Sequence, residues 1–378
     1  MMAKEKLSNL YDIGSSKRVF QSEWKNNGVP FYRAREIARL SEDGFVDNEL
    51  FIDEELYKEY TEKYGKPQPG DIMVTGVGTL GVCYIVKPDD KFYFKDGNIL
   101  WFKQKAPDRI IPEYLVKSFA SKEIKDYISK NSSGTTVGTL TIQTANKMEI
   151  SLPSLEHQKE IIECITQIES IIKKRKEELE VLDRLIKARF VEMFGTFPNN
   201  EKGWPIGKIR DLVADVRYGS SRKAADGENG KYPYLRMNNI TYNGELDLKD
   251  IKTIDIPENE LPKCSVQRGD VLFYRTNSKE LVGKTCVYNR EELMVLAGFI
   301  IRIRLNEKAL PEFVSAFLNT DFSKQMLLGM CKAAIGQANI NATEMQNIGV
   351  YIPPVEEQNR FVKFKYQVDK SKFINCNK

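Results

Sequence analysis

The sequence predicts an α+β fold of two tandem α+β domains joined by long helices. Three observations lead there. Residues 152–195 place Ile161, Ile165, Ile168, Ile172, Leu179, Leu182, Ile186 and Met193 at alternating three- and four-residue steps, the rhythm of a coiled-coil seam and narrower than the stripe of a globular surface helix. The chain also matches itself at an offset of about 200 residues, one copy on either side of that helix. Within each copy, short apolar runs bounded by glycine turns precede a helical stretch, the order expected of an α+β unit.

The first domain takes residues 1–151. Its segment VPFYRAREI (29–37) answers YPYLRMNNI (232–240), and PGDIMVTGVGTLGVCYIV (69–86) answers RGDVLFYRTNSKELVGKTCVYN (268–289), each a turn, a buried-looking strand, a loop and a second strand. Helical patterns follow at 111–128 and 310–327, then polar loops at 132–139 and 335–341. Leu152-Pro153 with Glu156 and Gln158 aligns with Ile352-Pro353 with Glu356 and Gln358. The residue before a proline is pushed out of helical geometry, so a new helix can begin just after each pair.

The central helix is assigned to 152–195. With Ile165, Ile172, Leu179, Ile186 and Met193 at a positions, Arg175 and Arg189 fall at d. From Glu156 to Phe194 it would extend about 58 Å, longer than a compact domain core requires, and it reads as a spacer. The second domain takes 196–352, and a distal helix takes 353–378, with Phe361 opposite Ile161 and Val368 opposite Ile168. Lys365 and Lys372 interrupt its seam, and only about 35 Å of helix is available.

Composition narrows the class. With 41% hydrophobic and 29% charged residues, the chain falls outside the disordered and membrane classes, and no window approaches a membrane-spanning run. No signal peptide is recognisable, so a cytoplasmic location is expected. Six cysteines lie without a CxxC pair, against a zinc site. A net charge of +4 does not announce a polyanion partner, so a nucleic-acid surface must come from local clustering.

Candidate chemistry is sparse. Gly76, Gly78 and Gly81 match G-x-G-x-x-G but lead into another strand, without the helix N-terminus that receives a pyrophosphate. Pro107-Asp108 and Glu123-Ile124-Lys125 fit a nuclease-like spacing, yet the second piece lies in a helical pattern, and metal-binding carboxylates there should converge from adjacent strands. The chain has neither a P-loop nor an Asn-Pro-Pro-Tyr tetrapeptide. Its one histidine, His157, sits at the helix entry as a capping or surface residue.

The duplicated LPSLEHQKEI and IPPVEEQNRF, the helix ending ARFVEMFG, and the repeated Gly-Asp-strand and Pro-x-x-Arg segments, in order across essentially the whole chain, resemble the specificity subunit of type I restriction–modification systems. The resemblance implies that each domain is a target-recognition domain reading half of a bipartite double-stranded DNA sequence. It also implies that the helices pair as an antiparallel coiled coil, setting half-site spacing within about 17 base-pair steps and docking two methyltransferase subunits. This chain would be non-catalytic and bind no cofactor. S-adenosylmethionine, ATP and Mg would belong to those subunits and to restriction/translocase subunits, and no membrane would be involved. The alternative is a two-module scaffold on a coiled coil that binds protein or RNA.

Clusters recurring in both halves supply the DNA-facing candidates. Ser15, Ser16, Lys17 and Arg18 correspond to Ser220, Ser221, Arg222 and Lys223, and Arg33 and Arg35 to Arg236 and Asn238, with Asn239 next. Cations and small hydroxyls suit phosphates, while arginine and asparagine suit base edges. Thr79, Arg275 and Asn277 come from the hairpin loops, and Thr135, Thr136, Gln337 and Asn339 from the polar loops. The distal helix lacks counterparts of residues 179–194, so Leu179, Leu182, Ile186 and Met193 are expected to be the uncovered, partner-binding stretch of the seam.

Overall fold

The computed structural model describes residues 4–132, 138–224, 230–277, 282–331 and 338–376, side chains at 276, 277, 338 and 373–376 excepted. The chain divides into two compact units, Met1–Lys173 and Lys174–Lys378.

The first unit carries β1 (Lys4–Lys6), β2 (Tyr11–Gly14), β3 (Val29–Tyr32), α1 (Ala34–Asp43), β4 (Phe51–Ile52), α2 (Glu54–Tyr64), β5 (Ile72–Thr75), β6 (Cys83–Ile85), β7 (Tyr93–Phe94), β8 (Ile99–Gln104), α3 (Pro112–Phe119), α4 (Lys122–Asn131) and β9 (Glu149–Ser151). An antiparallel sheet in the order β2-β8-β5-β6 forms its centre. Because successive strand side chains point to opposite faces, Ile72 and Val74 join a core that includes Phe119 and Ile124 of α3 and α4, whereas Met73 joins Trp101 and Ile37 on the other face. All of β5 is buried for that reason. A second sheet, β4-β3-β7, contains the parallel pair β3 and β7. The heptad stretch follows as one 40-residue helix, α5 (Leu155–Phe194), which passes from the first unit into the second.

The second unit repeats the plan with β10 (Ile206–Lys208), β11 (Val213–Tyr218), β12 (Tyr232–Leu235), β13 (Lys252–Ile254), β14 (Ser265–Val266), β15 (Val271–Tyr274), β16 (Thr276–Asn277), β17 (Thr285–Val287), β18 (Met294–Leu296), β19 (Ile300–Leu305), α6 (Pro311–Leu318), α7 (Asp321–Met330), β20 (Ala338–Asn339), β21 (Gly349–Tyr351) and the distal helix α8 (Val355–Cys376). Its central sheet runs β11-β19-β15-β17. Val271 and Phe273 face one core and Leu272 and Tyr274 the other.

The duplicated Gly-Asp and Glu-x-Gln signatures are structural. Asp71 is buried and accepts from the Gln68 and Gln104 backbone N–H groups at 2.8 and 3.1 Å and from the Trp101 indole at 2.8 Å. Asp270 accepts from the Gln267 N–H at 2.9 Å and from the Arg304 guanidinium at 2.8 Å. At the helix entries, buried Gln158 accepts from the Ile111 N–H at 2.9 Å and donates to the Arg109 and Pro153 carbonyls at 2.8 and 2.9 Å. Gln358 repeats the pattern with Leu310, Lys308 and Pro353 at 2.8, 3.0 and 2.8 Å. Each glutamine ties the start of α5 or α8 to the loop before α3 or α6.

The long helix is less a separate spacer than a shared element. Ile161 and Ile162 pack on the first unit's core, and Leu182, Ile186, Phe190, Met193 and Phe194 enter the second. Within the second unit α8 runs antiparallel to α5. Phe361 meets Phe190 and Phe194 at 5.2 and 5.8 Å between ring centroids, the Arg189 guanidinium lies 5.6 Å from the Phe364 ring, and Lys372 pairs with Asp183. Partner numbers fall as α8 advances.

That direction corrects the expected partner face. An antiparallel helix that starts at residue 355 covers the C-terminal end of α5 first, so Leu182, Ile186 and Met193 lie in or against this chain's own core and Leu179 is half-buried. Of the large apolar side chains that α5 leaves exposed, Ile168, Ile171 and Ile172 lie earlier, exposed by 50, 58 and 49%, while Val181, Leu185 and Val191 lie in the later stretch. The lysines that interrupt the distal seam are paired: Lys365 with Asp369 at 2.5 Å, and Lys372 also with Asp369 and Glu245 at 3.2 and 3.3 Å. Polar groups at a positions of this kind fix register.

Candidate nucleic-acid interface

In each unit the same three segments are laced together at one end of the central sheet. In the first, the Gly76 N–H donates to the Asn98 carbonyl at 2.8 Å and the Leu140 N–H to the Gly76 carbonyl at 2.9 Å. In the second, the Arg275 N–H donates to the Phe299 carbonyl at 3.0 Å and the Ile340 N–H to the Arg275 carbonyl at 2.9 Å. The β5–β6 loop, the turn before β8 and the segment after α4 therefore converge, as do their counterparts. In the second unit β16 and β20 extend the junction into a two-stranded ribbon.

Close backbone approach explains Gly76, where an added Cβ would sit 3.0 Å from the Leu140 carbonyl oxygen. The glycines that follow form a strand-to-strand loop with Gly78 and Gly81 at positive φ, with no helix behind them. Thr79 is exposed on this loop, and its carbonyl accepts from the Thr75 hydroxyl at 2.5 Å.

The serine-cation clusters border the same ends. The Ser15 and Ser16 hydroxyls donate to the Ile99 and Phe94 carbonyls at 3.0 and 2.6 Å, leaving Lys17 and Arg18 exposed on an anchored backbone. Arg18 pairs with Asp96 at 3.0 Å. Across the repeat, the Tyr234 hydroxyl engages the Ser220 and Arg222 carbonyls. Ser221, Arg222 and Lys223 are exposed, and Arg222 forms a two-point pair with Glu260 at 3.1 and 2.7 Å.

The arginines of the Pro-x-x-Arg segments are engaged within their own units. Arg33 precedes α1, and Glu36, fully buried, accepts from the Arg33 backbone N–H at 2.9 Å and from its guanidinium at 2.8 Å. Arg35 bonds the same carboxylate at 2.9 Å and Glu49 at 2.7 Å. Both forks are thus occupied by carboxylates. In the second unit Asn239 takes the place of Glu36: 1% exposed, it accepts from the Arg236 N–H at 2.9 Å and donates to the Asp247 carbonyl at 2.8 Å. Asn239 forms the turn and is not a surface reader, since burial and satisfied polar atoms leave it nothing to offer a base. Arg236 bonds Asp250, while Asn238 is exposed.

Burial pushes the Glu36 carboxyl up, but the hydrogen bonds from Arg33, its N–H and Arg35 pull it down further, so it lies below its ordinary value of 4.5. A depressed carboxyl contributes stability that is present above the unfolded value and lost as pH falls through the folded one. The first unit's melting midpoint is therefore expected to fall on acidification from about pH 5 to about pH 3. Glu36→Gln should lower the midpoint at neutral pH and flatten that fall; a variant with an unchanged pH slope would remove Glu36 as its source.

Arg275 differs from the other candidate arginines. Its guanidinium lies 5.0 Å from the Tyr218 ring, and among the described residues it has no ion pair. Beside it stands Phe299, exposed by 53%. Sequence reasoning missed Phe299 and Tyr218, because an aromatic next to a strand reads as core until the sheet end is located. Asn339 is exposed on β20; Thr135, Thr136, Gln337 and the Asn277 side chain lie outside the described residues. The Glu123 of the nuclease-like pattern is on α4, paired with Lys4 at 2.5 Å, and among the described residues no three His, Cys, Asp or Glu side chains gather as a metal site. His157 Nδ1 lies 2.8 Å from the Ser154 hydroxyl at the helix entry. No described helix is long and apolar enough to cross a membrane.

The family model described as "Type I restriction modification DNA specificity domain" matches residues 2–181 and again 201–377. The EcoKI type I restriction enzyme specificity subunit of Escherichia coli is 24% identical over 273 residues, covering 68% of this chain and 58% of that relative. The chain thus spans less than two thirds of that relative's length. A solved type I restriction–modification S subunit from M. genitalium aligns with 100% of this chain and 91% of its own at 13% identity and a TM-score of 0.51. A chain from a structural study of type I R-M complex assembly and conformational transition covers 100% and 93% at 17% identity and a TM-score of 0.60. These similarities establish a shared fold.

Proposed function

The chain belongs to the type I restriction–modification DNA specificity family, and from that premise we propose that it is the sequence-reading, non-catalytic subunit of such a complex. Residues 1–151 and 196–352 read the two halves of a split duplex target, and α5 with α8 sets their separation. The observation that carries this reading is the duplicated junction of three laced segments, at the same sheet end in both units. Two matched junctions on one chain suit two half-sites. Lys17, Thr79, Ser221, Lys223, Asn238, Arg275 and Asn339 form the contact set. Arg18, Arg33, Arg35, Arg222 and Arg236 would first have to exchange a carboxylate for a phosphate.

The partners are two methyltransferase subunits, with restriction/translocase subunits beyond them; S-adenosylmethionine, ATP and Mg are theirs, and the assembly works in the cytoplasm on duplex DNA. The exposed Ile168, Ile171 and Ile172 are the docking side chains, in place of Leu182, Ile186 and Met193. Ile168→Glu with Ile171→Glu is expected to weaken methyltransferase association at least about tenfold with little change in melting midpoint, as for truncating an interface anchor. Leu182→Ala should instead lower the midpoint. The reverse pattern in pull-down and melting assays would return the docking face to the later stretch.

Reconstitution with the methyltransferase subunits tests the function. The complex should prefer one bipartite sequence, lose affinity steeply with salt as released counterions require, and account for one bipartite adenine-methylation motif that disappears from the host when this gene is deleted. Binding with no split-sequence preference, or an unchanged methylome, would favour the scaffold alternative.

A further inference from the structure

Phe299 is a large apolar ring exposed on a turn tied down by backbone hydrogen bonds. Its carbonyl accepts from the Arg275 N–H at 3.0 Å, the neighbouring Gly298 N–H donates to Ser220 at 2.7 Å, and the Ile300 N–H donates to Ala297 at 2.9 Å. A Cβ at Gly298 would sit 3.1 Å from the Ser220 carbonyl oxygen, so the turn packs directly on that loop. The β15–β19 register ends at the pair Tyr274 and Ile300, and just beyond it the bond from the Arg275 N–H to the Phe299 carbonyl keeps the two residues' backbones together. The Arg275 guanidinium is backed at 5.0 Å by Tyr218, itself 43% exposed. In the first unit the same two positions hold Asn98 and Gly76, with neither ring nor cation.

A ring held rigidly in solvent beside a cation has what is needed to slide between adjacent stacked bases and to hold the strand while they stay separated. We propose that Phe299 is an aromatic wedge that enters the base stack of the half-site read by the second domain, while Arg275, braced on Tyr218, grips the adjacent nucleotide. The first domain reads its half-site without such a wedge. The inference rests on the DNA-reading function above and adds an asymmetry between the half-sites.

The test uses the full chain assembled with its methyltransferase subunits, on duplexes of the split target identified from the methylome. 2-Aminopurine is placed singly at each position of both half-sites except the methylated adenines, whose own displacement would mimic the signal. Fluorescence should rise at one step of one half-site only. Phe299→Ala should abolish that rise and weaken binding roughly tenfold to a hundredfold, the range for loss of one base-aromatic stack; Phe299→Trp should keep both. Because Phe299 is exposed, the alanine variant should melt like the parent. Specific binding by the parent with affinity and fluorescence unchanged in Phe299→Ala, or an equal rise in both half-sites, overturns the wedge alone. A parent complex with no sequence preference overturns the DNA-reading function on which it rests.

Discussion

Gln358→Ala is expected to destabilise the second unit by about 2–4 kcal/mol, because the buried Gln358 amide leaves three backbone partners at once, the Pro353 carbonyl in the core and the Leu310 and Lys308 groups nearer the surface, and a stranded buried group costs about 1–3 kcal/mol. The Leu310 N–H and the Lys308 and Pro353 carbonyls have Gln358 as the side chain that bridges them. Gln358→Glu tests the same bonds differently: it keeps an acceptor for Leu310 but turns the amide donor into a carboxylate facing two carbonyl oxygens, and should be comparably harmful. Gln158→Ala supplies an internal replicate in the first unit, where the partners are Ile111, Arg109 and Pro153. Urea unfolding gives the measurement. A loss under about 1 kcal/mol would mean that ordered water replaces the amide and that the duplicated Glu-x-Gln signature is not kept by these bonds.

Phe190→Ala is expected to cost about 3–5 kcal/mol, as for other fully buried aromatics, with the cavity left behind adding to the lost transfer energy. Phe190 is 1% exposed and meets Phe194, Phe313 and Phe361 at centroid distances of 4.9, 5.6 and 5.2 Å. Those rings belong to α5, α6 and α8, so one side chain joins the long helix, the domain and the distal helix. Amide hydrogen exchange should consequently accelerate first along α8, before the central sheet of the second unit is affected. Uniform acceleration across the unit, with α8 no faster than β15, would show that the cluster supports the whole core rather than the helix pair.

Much of this was legible in the chain itself. The α+β class, the duplication, the uninterrupted helix and the paired entry motifs follow from periodicity and self-similarity, which depend on local chemistry and survive in one sequence. The side-chain assignments divided differently. Arg18, Arg222 and Lys223 are exposed, the two arginines paired with Asp96 and Glu260, while Arg33, Arg35 and Asn239 are engaged by Glu36, Glu49 and the Asp247 carbonyl. An arginine or asparagine announces how many hydrogen bonds it can make. Which partner takes them is a matter of three-dimensional neighbours.

The sequence by itself determined that one face of residues 152–195 is apolar, that the chain repeats, and that Gly-Asp and Glu-x-Gln recur at matched places. Only the tertiary structure decided what covers that face. An apolar period says that a stripe will be buried without saying by which segment or in which direction. Because α8 pairs antiparallel, its first turns lie on the last turns of α5 and bury Ile186 and Phe190, while Ile168, Ile171 and Ile172 stay exposed. The same holds for Phe299: its hydrophobicity is a property of the residue, but its exposure beside Arg275 is set by where two strands end and a turn held by Ser220 begins.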